Sequence, residues 1–276
     1  LKPKKKLLKV MISSGTSEQV SGRDCQKIRW AISHEAVSGR AWSSLSDRVR
    51  FEWSKLNRYL RPSGIVVAIL GVDGSGKSSI IDSMLPALNA ATHNGVVIKH
   101  LRPAVLPPLA RLKGTAGVPD APVLNPQGAT PSGKIGSLVR LVYLTMDYVL
   151  GYWLWTRPRI AKQPTIVLFD RYAYDMELDP RRFRIGLSAR VAGWFASLAP
   201  KPDVIICLHG TPEVIAARKN ELSVEETRRQ IEALRRFARR ESRAVLVSTD
   251  VSVEETRDQA LGALSSYLRG KAKRRS

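Results

Sequence analysis

The sequence is poor in the residues that build metal centres and disulfide frameworks. Two cysteines, Cys25 and Cys207, and four histidines are spread over 276 residues. No C-x-x-C pair and no ligand-spaced histidine group occurs. That excludes a zinc module and points to a reducing, cytoplasmic setting. Cys207 lies in an apolar run, where a thiol behaves as a small hydrophobe. No apolar run suits a membrane span either: the nearest, Leu138–Trp155, contains Arg140 and Asp147 and reads as a buried or half-buried helix. The chain starts on Leu1, as a fragment or processed form does. No signal-peptide cleavage site follows its basic, then apolar, first residues. A Ser-His-Asp or Cys-His constellation is missing. So are the guanine-reading N-K-x-D and a water-activating switch glutamine, which argues against a GTPase.

Acidic residues are also scarce, 24 against 45 Lys and Arg, for a net charge of +21. The excess is uneven: residues 1–61 carry a net +9 and residues 269–276 five further positive charges. Basic ends of this kind suit nucleic acid or an anionic surface, but their plainer reading is solvated tails. With 43 % hydrophobic residues the rest is globular in class.

What stands out is the stretch IVVAILGVDGSGKSSIID at 65–82. Six apolar residues, Ile65–Leu70, read as a strand buried on both faces. Gly71, Val72, Asp73, Gly74, Ser75, Gly76, Lys77 and Ser78 then match G-x-x-x-x-G-K-[ST], and a helical pattern starts at Ser79. Glycines let backbone N–H groups curl around a phosphate chain, and the helix N-terminus faces the same anion. Lys77 can reach the terminal phosphates and the Ser78 hydroxyl can ligate Mg²⁺. The stretch therefore predicts a nucleoside triphosphate site that uses Mg²⁺.

Further strands are expected at 96–100, 165–169, 203–208 and 244–248, alternating with helices at 135–156, 188–199, from 212, 223–240 and from 252 to about 268. Ser-Val-Glu-Glu opens the last two as a cap signal. The fold class is α/β: a three-layer P-loop NTPase fold with a five-stranded parallel sheet. One or two amphipathic helices are expected over 25–60. The domain plan is a basic extension over 1–61, a P-loop domain over 62–268 with a lid near 218–230, and a basic tail over 269–276. Residues 102–134 hold seven prolines and read as a long functional loop.

Candidate acceptor groups cluster at predicted strand ends. Asp170 closes the third strand and can hold Mg²⁺ with Ser78. Arg171, pointing the other way, can grip a phosphate bidentately. Arg102 follows the second strand, and Asp73 is a non-glycine inside the loop. Arg140, Tyr143, Asp147 and Gly151 share one helix face that can line a pocket. Arg218 and Lys219, with Arg228 and Arg229, bracket a segment able to close over phosphates.

At GVDGSGKSS (71–79), FDRYAYD (169–175) and PDVIICLHGTPEVIAARK (202–219) the chain resembles the thymidylate kinase family of P-loop nucleoside monophosphate kinases, in a divergent bacterial branch. The resemblance covers roughly 64–268. It implies transfer of the ATP γ-phosphoryl group to a nucleoside monophosphate, with Lys77 and the loop from Gly71 to Ser79 on the donor. Asp73 would be on the acceptor, Asp170 and Arg171 the family's Asp-Arg pair, and Arg218 a lid arginine. It also implies a homodimer. The family's R-E-P-G is replaced by His100-Leu101-Arg102-Pro103, which leaves Arg102 as the counterpart. Alternatives are another phosphorylated acceptor, such as a sugar phosphate in surface-polysaccharide synthesis, and a non-catalytic ATP-binding regulatory module.

Overall fold

The computed structural model describes residues 41–107, 132–218 and 222–274. The expectations for residues 1–40, for most of the proline-rich loop and for Lys219 lie outside these. The chain divides into two compact units, residues 1–55 and 56–276. Residues 41–55 of helix α1 (Ala41–Leu60) are the described part of the first, where Val49, Phe51 and Trp53 are exposed.

The second unit is a parallel sheet between two helical layers. Its elements run β1 (Ile65–Gly71), α2 (Lys77–Thr92), β2 (Val96–His100), α3 (Lys134–Gly151), α4 (Arg157–Lys162), β3 (Ile166–Asp170), α5 (Asp175–Leu178), α6 (Ala189–Leu198), β4 (Val204–His209), α7 (Pro212–Arg218), α8 (Val224–Arg240), β5 (Ala244–Ser248) and α9 (Val253–Lys273). All pairings are parallel, in the order β2-β3-β1-β4-β5. The five expected strands are present within a residue of their expected bounds.

Strand alternation sorts the core into two halves. Val66, Ala68, Leu70, Val167, Phe169, Ile205 and Cys207 face one side and pack under α3, α6 and α8. Ile65, Val67, Ile69, Ile166, Leu168, Ile206 and Leu208 face the other and pack on α2 and α9. Every residue of β1 and β3 is buried, as continuous apolar runs require. Burial keeps the Cys207 thiol protonated, its pKa pushed up to about 12. Ser223 and Ser252 accept hydrogen bonds from the N–H groups of Glu226 and Glu255, so both cap signals are real. Two helical bounds differ from expectation. α9 continues past Leu268 to Lys273, so most of the basic tail is helix. The helix expected over 135–156 stops at Gly151 and passes through a π-helical turn, Tyr152–Thr156, into α4. Pro158 lacks the N–H that would bond to Leu154, and the wider turn accommodates that loss.

The polar face of α3 is buried against a loop. Asp147 is fully buried and accepts from Ala104 N (3.1 Å), Leu106 N (2.7 Å) and Arg102 Nη1 (3.3 Å). The Tyr143 and Tyr148 hydroxyls donate to the carbonyls of Pro107 and Leu101. Gly151 lies against Pro103, where any side chain would collide. This face fastens the segment after β2, while Ile135, Leu138, Val139, Val142 and Met146 stay exposed on another. Among the described residues no helix is long and apolar enough to cross a membrane.

Asp147→Ala strands two backbone donors and the Arg102 charge, and should cost about 2–4 kcal/mol in urea unfolding. Asp147→Asn, which keeps an acceptor oxygen, should lose less. A loss below about 1 kcal/mol for Asp147→Ala would show that the loop is held by other means.

Candidate active site

The site gathers at the carboxyl ends of β1 and β3. After Gly71 the chain turns through Gly74 (φ 85°) and Gly76 (φ 81°), left-handed conformations that favour glycine. α2 then starts on Lys77 with no side-chain cap and no acidic residue in its first turn. Its first N–H groups are therefore available to an anion. Ser78 and Ser79 are exposed there, while Ser75 is buried with its hydroxyl unpartnered.

Lys77 is buried and donates to the carbonyls of Gly71 and Val72, both at 2.8 Å. Its ammonium lies 3.8 Å from Asp73. Burial, then the nearby Arg171 charge, lowers its pKa to about 7, with Asp73 pulling the other way.

Asp73 is the hub. Its two carboxylate oxygens accept from Arg171 Nη2 and Arg182 Nη2. Arg171 is buried and also donates to Asp175 at 3.2 Å. Burial works against the Arg171 charge, but Asp175 and Asp73 more than offset it and hold the guanidinium more firmly protonated than usual. For Asp175, burial raises the carboxyl pKa despite Arg171 and Lys77. Arg182 pairs in addition with Asp179 at 3.3 Å. The backbone here is unusual: Leu101, Ala104, Arg171 and Arg184 all have positive φ. Non-glycine residues hold that conformation only where the surroundings impose it.

Asp170 diverges from Arg171 as expected. Its Oδ2 lies 3.0 Å from His100 Nδ1, and its Oδ1 is buried without a hydrogen-bond partner. Asp170 has an orphaned carboxylate oxygen and Ser78 an exposed hydroxyl, and each is an oxygen donor of the kind a hard divalent cation takes. Among the described residues no group of three or more His, Cys, Asp or Glu could hold a metal unaided. Such an ion would need phosphate oxygens and water as well.

Arg102 turns away to α3, bonded to Asp147 and the Leu106 carbonyl, with its guanidinium near the Tyr143 ring. Arg218 closes α7 with Nη2 3.5 Å from the Thr249 carbonyl. It lines a cavity of about 250 Å³ with Ser75, Gly76, Ser79, Val251 and Val253. Arg228 and Arg229, expected over the phosphates, pair with Glu213 (2.5 Å) and Glu226 (2.6 Å) on the surface. Arg182, Asp175 and Asp179 join the Asp73 network although no local sequence pattern marks them.

No family model and no curated protein matches the chain. Among solved structures, the fold is similar to thymidylate kinase from Ehrlichia chaffeensis, with TM-score 0.50 and 14 % identity over 74 % of this chain and 100 % of that one. It is also similar to thymidylate kinase from Candida albicans, with TM-score 0.52 and 15 % identity over 74 % of this chain and 92 % of that one. The fold is thus that of the thymidylate-kinase-like P-loop kinases.

The lowered Lys77 pKa has a sign that stability measurements can read. The unfolded chain keeps the Lys77 proton up to about pH 10.5, whereas the fold releases it near pH 7. Between those values the unfolded state binds more protons, so this group makes stability rise with pH, by at most about 1.4 kcal/mol per unit. Urea unfolding at pH 7, 8 and 9 should show the wild type gaining on Lys77→Met as pH rises. A difference independent of pH would mean that Lys77 keeps its charge in the fold.

Proposed function

We propose that the protein is an ATP-dependent phosphotransferase of the thymidylate kinase type. It moves the γ-phosphoryl group to the phosphate of an acceptor, with a dTMP-like nucleoside monophosphate as the leading candidate. One observation carries this reading. A loop and uncapped helix N-terminus suited to a triphosphate stand beside a second anion-binding pair, Arg171 and Arg182, joined to the loop through Asp73. A hydrolase has no need of a second phosphate grip, and a transferase does.

In this reading Lys77 and the backbone from Gly71 to Ser79 hold the donor. The cavity at Arg218, with apolar Val251 and Val253 and a flat guanidinium, suits the base of ATP. Arg171 and Arg182 turn from Asp73 to the acceptor phosphate. Asp73 is then left to accept from the acceptor or from Lys77, whose proton the incoming phosphates favour. Arg102 acts at one remove, through Asp147. Ser78 and Asp170 would hold Mg²⁺, which neutralises charge on the phosphates when bound. An acceptor phosphate oxygen attacks the γ-phosphorus, the bridging β–γ P–O bond breaks, and ADP leaves. The protein supplies position and positive charge rather than covalent chemistry. ATP supply places this activity in the cytoplasm.

Chromatography of reactions with Mg·ATP and a panel of nucleoside monophosphates and sugar phosphates tests the reading. Transfer to at least one acceptor is expected. Lys77→Ala and Arg171→Ala should each lower kcat/KM at least about 100-fold. ATP binding without transfer to any acceptor, unchanged in both variants, would contradict it. The exposed stripe of Leu138, Val142 and Met146 supports the homodimer that the resemblance implies. Sedimentation should then show a dimer that Val142→Glu converts to monomer. An unchanged sedimentation coefficient would rule out this face.

A further inference from the structure

The opposite pole of the sheet carries a second cationic site. β1, β4 and β5 begin there, preceded by Gly64, Asp203 and Arg243. A cavity of about 350 Å³ opens at these strand starts, lined by Arg61, Arg157, Lys201, Arg243, Lys271 and Arg274. Asp203 is the sole acidic residue in the lining. β1 alone separates this pole from the P-loop, at roughly 3.3 Å per residue, so the two sites stand roughly 20 Å apart.

The single carboxylate is already committed. Asp203 accepts from Val66 N at 2.8 Å and from the Tyr267 hydroxyl at 2.6 Å. It pins β1 and α9, and the six cations still outnumber it. Lys201 has a counter-ion on the rim, Glu241 at 3.1 Å. Two of the arginines are held in place by neutral groups. Arg243 donates to the Lys201 and Pro202 carbonyls (3.4 and 3.0 Å). Arg157 donates to the Leu60 carbonyl (2.8 Å) and the Tyr152 hydroxyl (3.0 Å), and its buried Nε has no hydrogen-bond partner. Lys271 donates to the Gly64 carbonyl at 2.7 Å. Carbonyl anchors fix the positions of Arg157 and Arg243 without neutralising them. Like charges so gathered repel one another, and a multivalent anion between them relieves that cost.

We propose that this cavity binds a compact, multiply charged phosphoanion, of the di- or triphosphate class, at a site separate from the P-loop. Guanidinium forks match phosphate oxygens two at a time, and preset arginines lose little freedom on binding. A concave site of this size suits a linked pair or trio of phosphoryl groups. An extended nucleic-acid backbone or a membrane would be met by a flat or grooved basic surface. The inference stands apart from the reading of the P-loop face and does not need a kinase activity.

Calorimetric titration with inorganic tripolyphosphate, at low salt and without Mg²⁺, tests it. The wild type should show two binding events. Lys77→Ala should weaken one at least tenfold and leave the other. Arg61→Gln combined with Arg274→Gln should do the reverse, both being exposed residues at helix ends. The persisting P-loop event then reports that this variant is folded. A single event abolished by Lys77→Ala would overturn the proposal, as would two events untouched by the Arg61 and Arg274 changes. Retention on duplex DNA or phosphatidylglycerol vesicles that needs these arginines, with no second tripolyphosphate event, would also overturn it and assign the face to a macromolecular surface.

Discussion

The carboxylate of Asp73 lies among three cations, Arg171, Arg182 and Lys77, on a loop otherwise built of glycine, serine and valine. Charges this deeply placed persist only when paired. One acidic side chain therefore ties the phosphate-type loop to a segment 98 to 109 residues further along. Asp175 and Asp179 extend the network and keep the arginines from repelling each other. Lys77, at the edge of this cationic group and buried, is left close to losing its proton, with a pKa of about 7.

The sheet makes this pairing available. β1 and β3 are neighbours, with Ile69 opposite Asp170, so the residues after each strand emerge side by side. Arg171 N donates to Ile69 O at 2.9 Å, which extends the ladder one residue beyond β3 while the chain turns into positive φ. That turn sends Arg171 towards Asp73 while Asp170 pairs with His100. On the far side of β3, Asp147 does for the segment after β2 what Asp73 does for the segment after β3. Asp147, buried on α3, and Asp73, half-buried in the loop after β1, each collect donors from another segment.

Much of the architecture was legible from local signals. Apolar runs located all five strands, the glycine pattern located the loop at 71–78, and Ser223 and Ser252 marked two helix starts. Those features are set within a few residues of chain, where periodicity and capping act. What was not legible depends on residues distant in sequence. Arg182 and Asp175 look like any others in a charged segment until the fold brings Asp73 to them. Arg102 reads as a cleft residue by its place after β2, but Asp147 draws it to α3. Arg228 and Arg229 read as a phosphate-closing pair, yet nearby glutamates already neutralise them. The polar face of α3 was visible as a helical repeat, and only the structure shows that it binds a loop. The basic C-terminal residues read as a tail because charge hides a helix whose apolar partners are few. Their cations line the cavity at the far pole.

In the proposed mechanism the arginines held by Asp73 receive a second phosphate, onto which the γ-phosphoryl group is transferred. ³¹P NMR of the protein with Mg·ATP and dTMP observes the bond in question. The account predicts ADP together with a new pair of mutually coupled phosphorus resonances, the phosphoanhydride of the acceptor, with little inorganic phosphate. Inorganic phosphate accumulating at the rate of ATP loss, with the dTMP signal unaltered and no anhydride on any other phosphorylated acceptor, would contradict it.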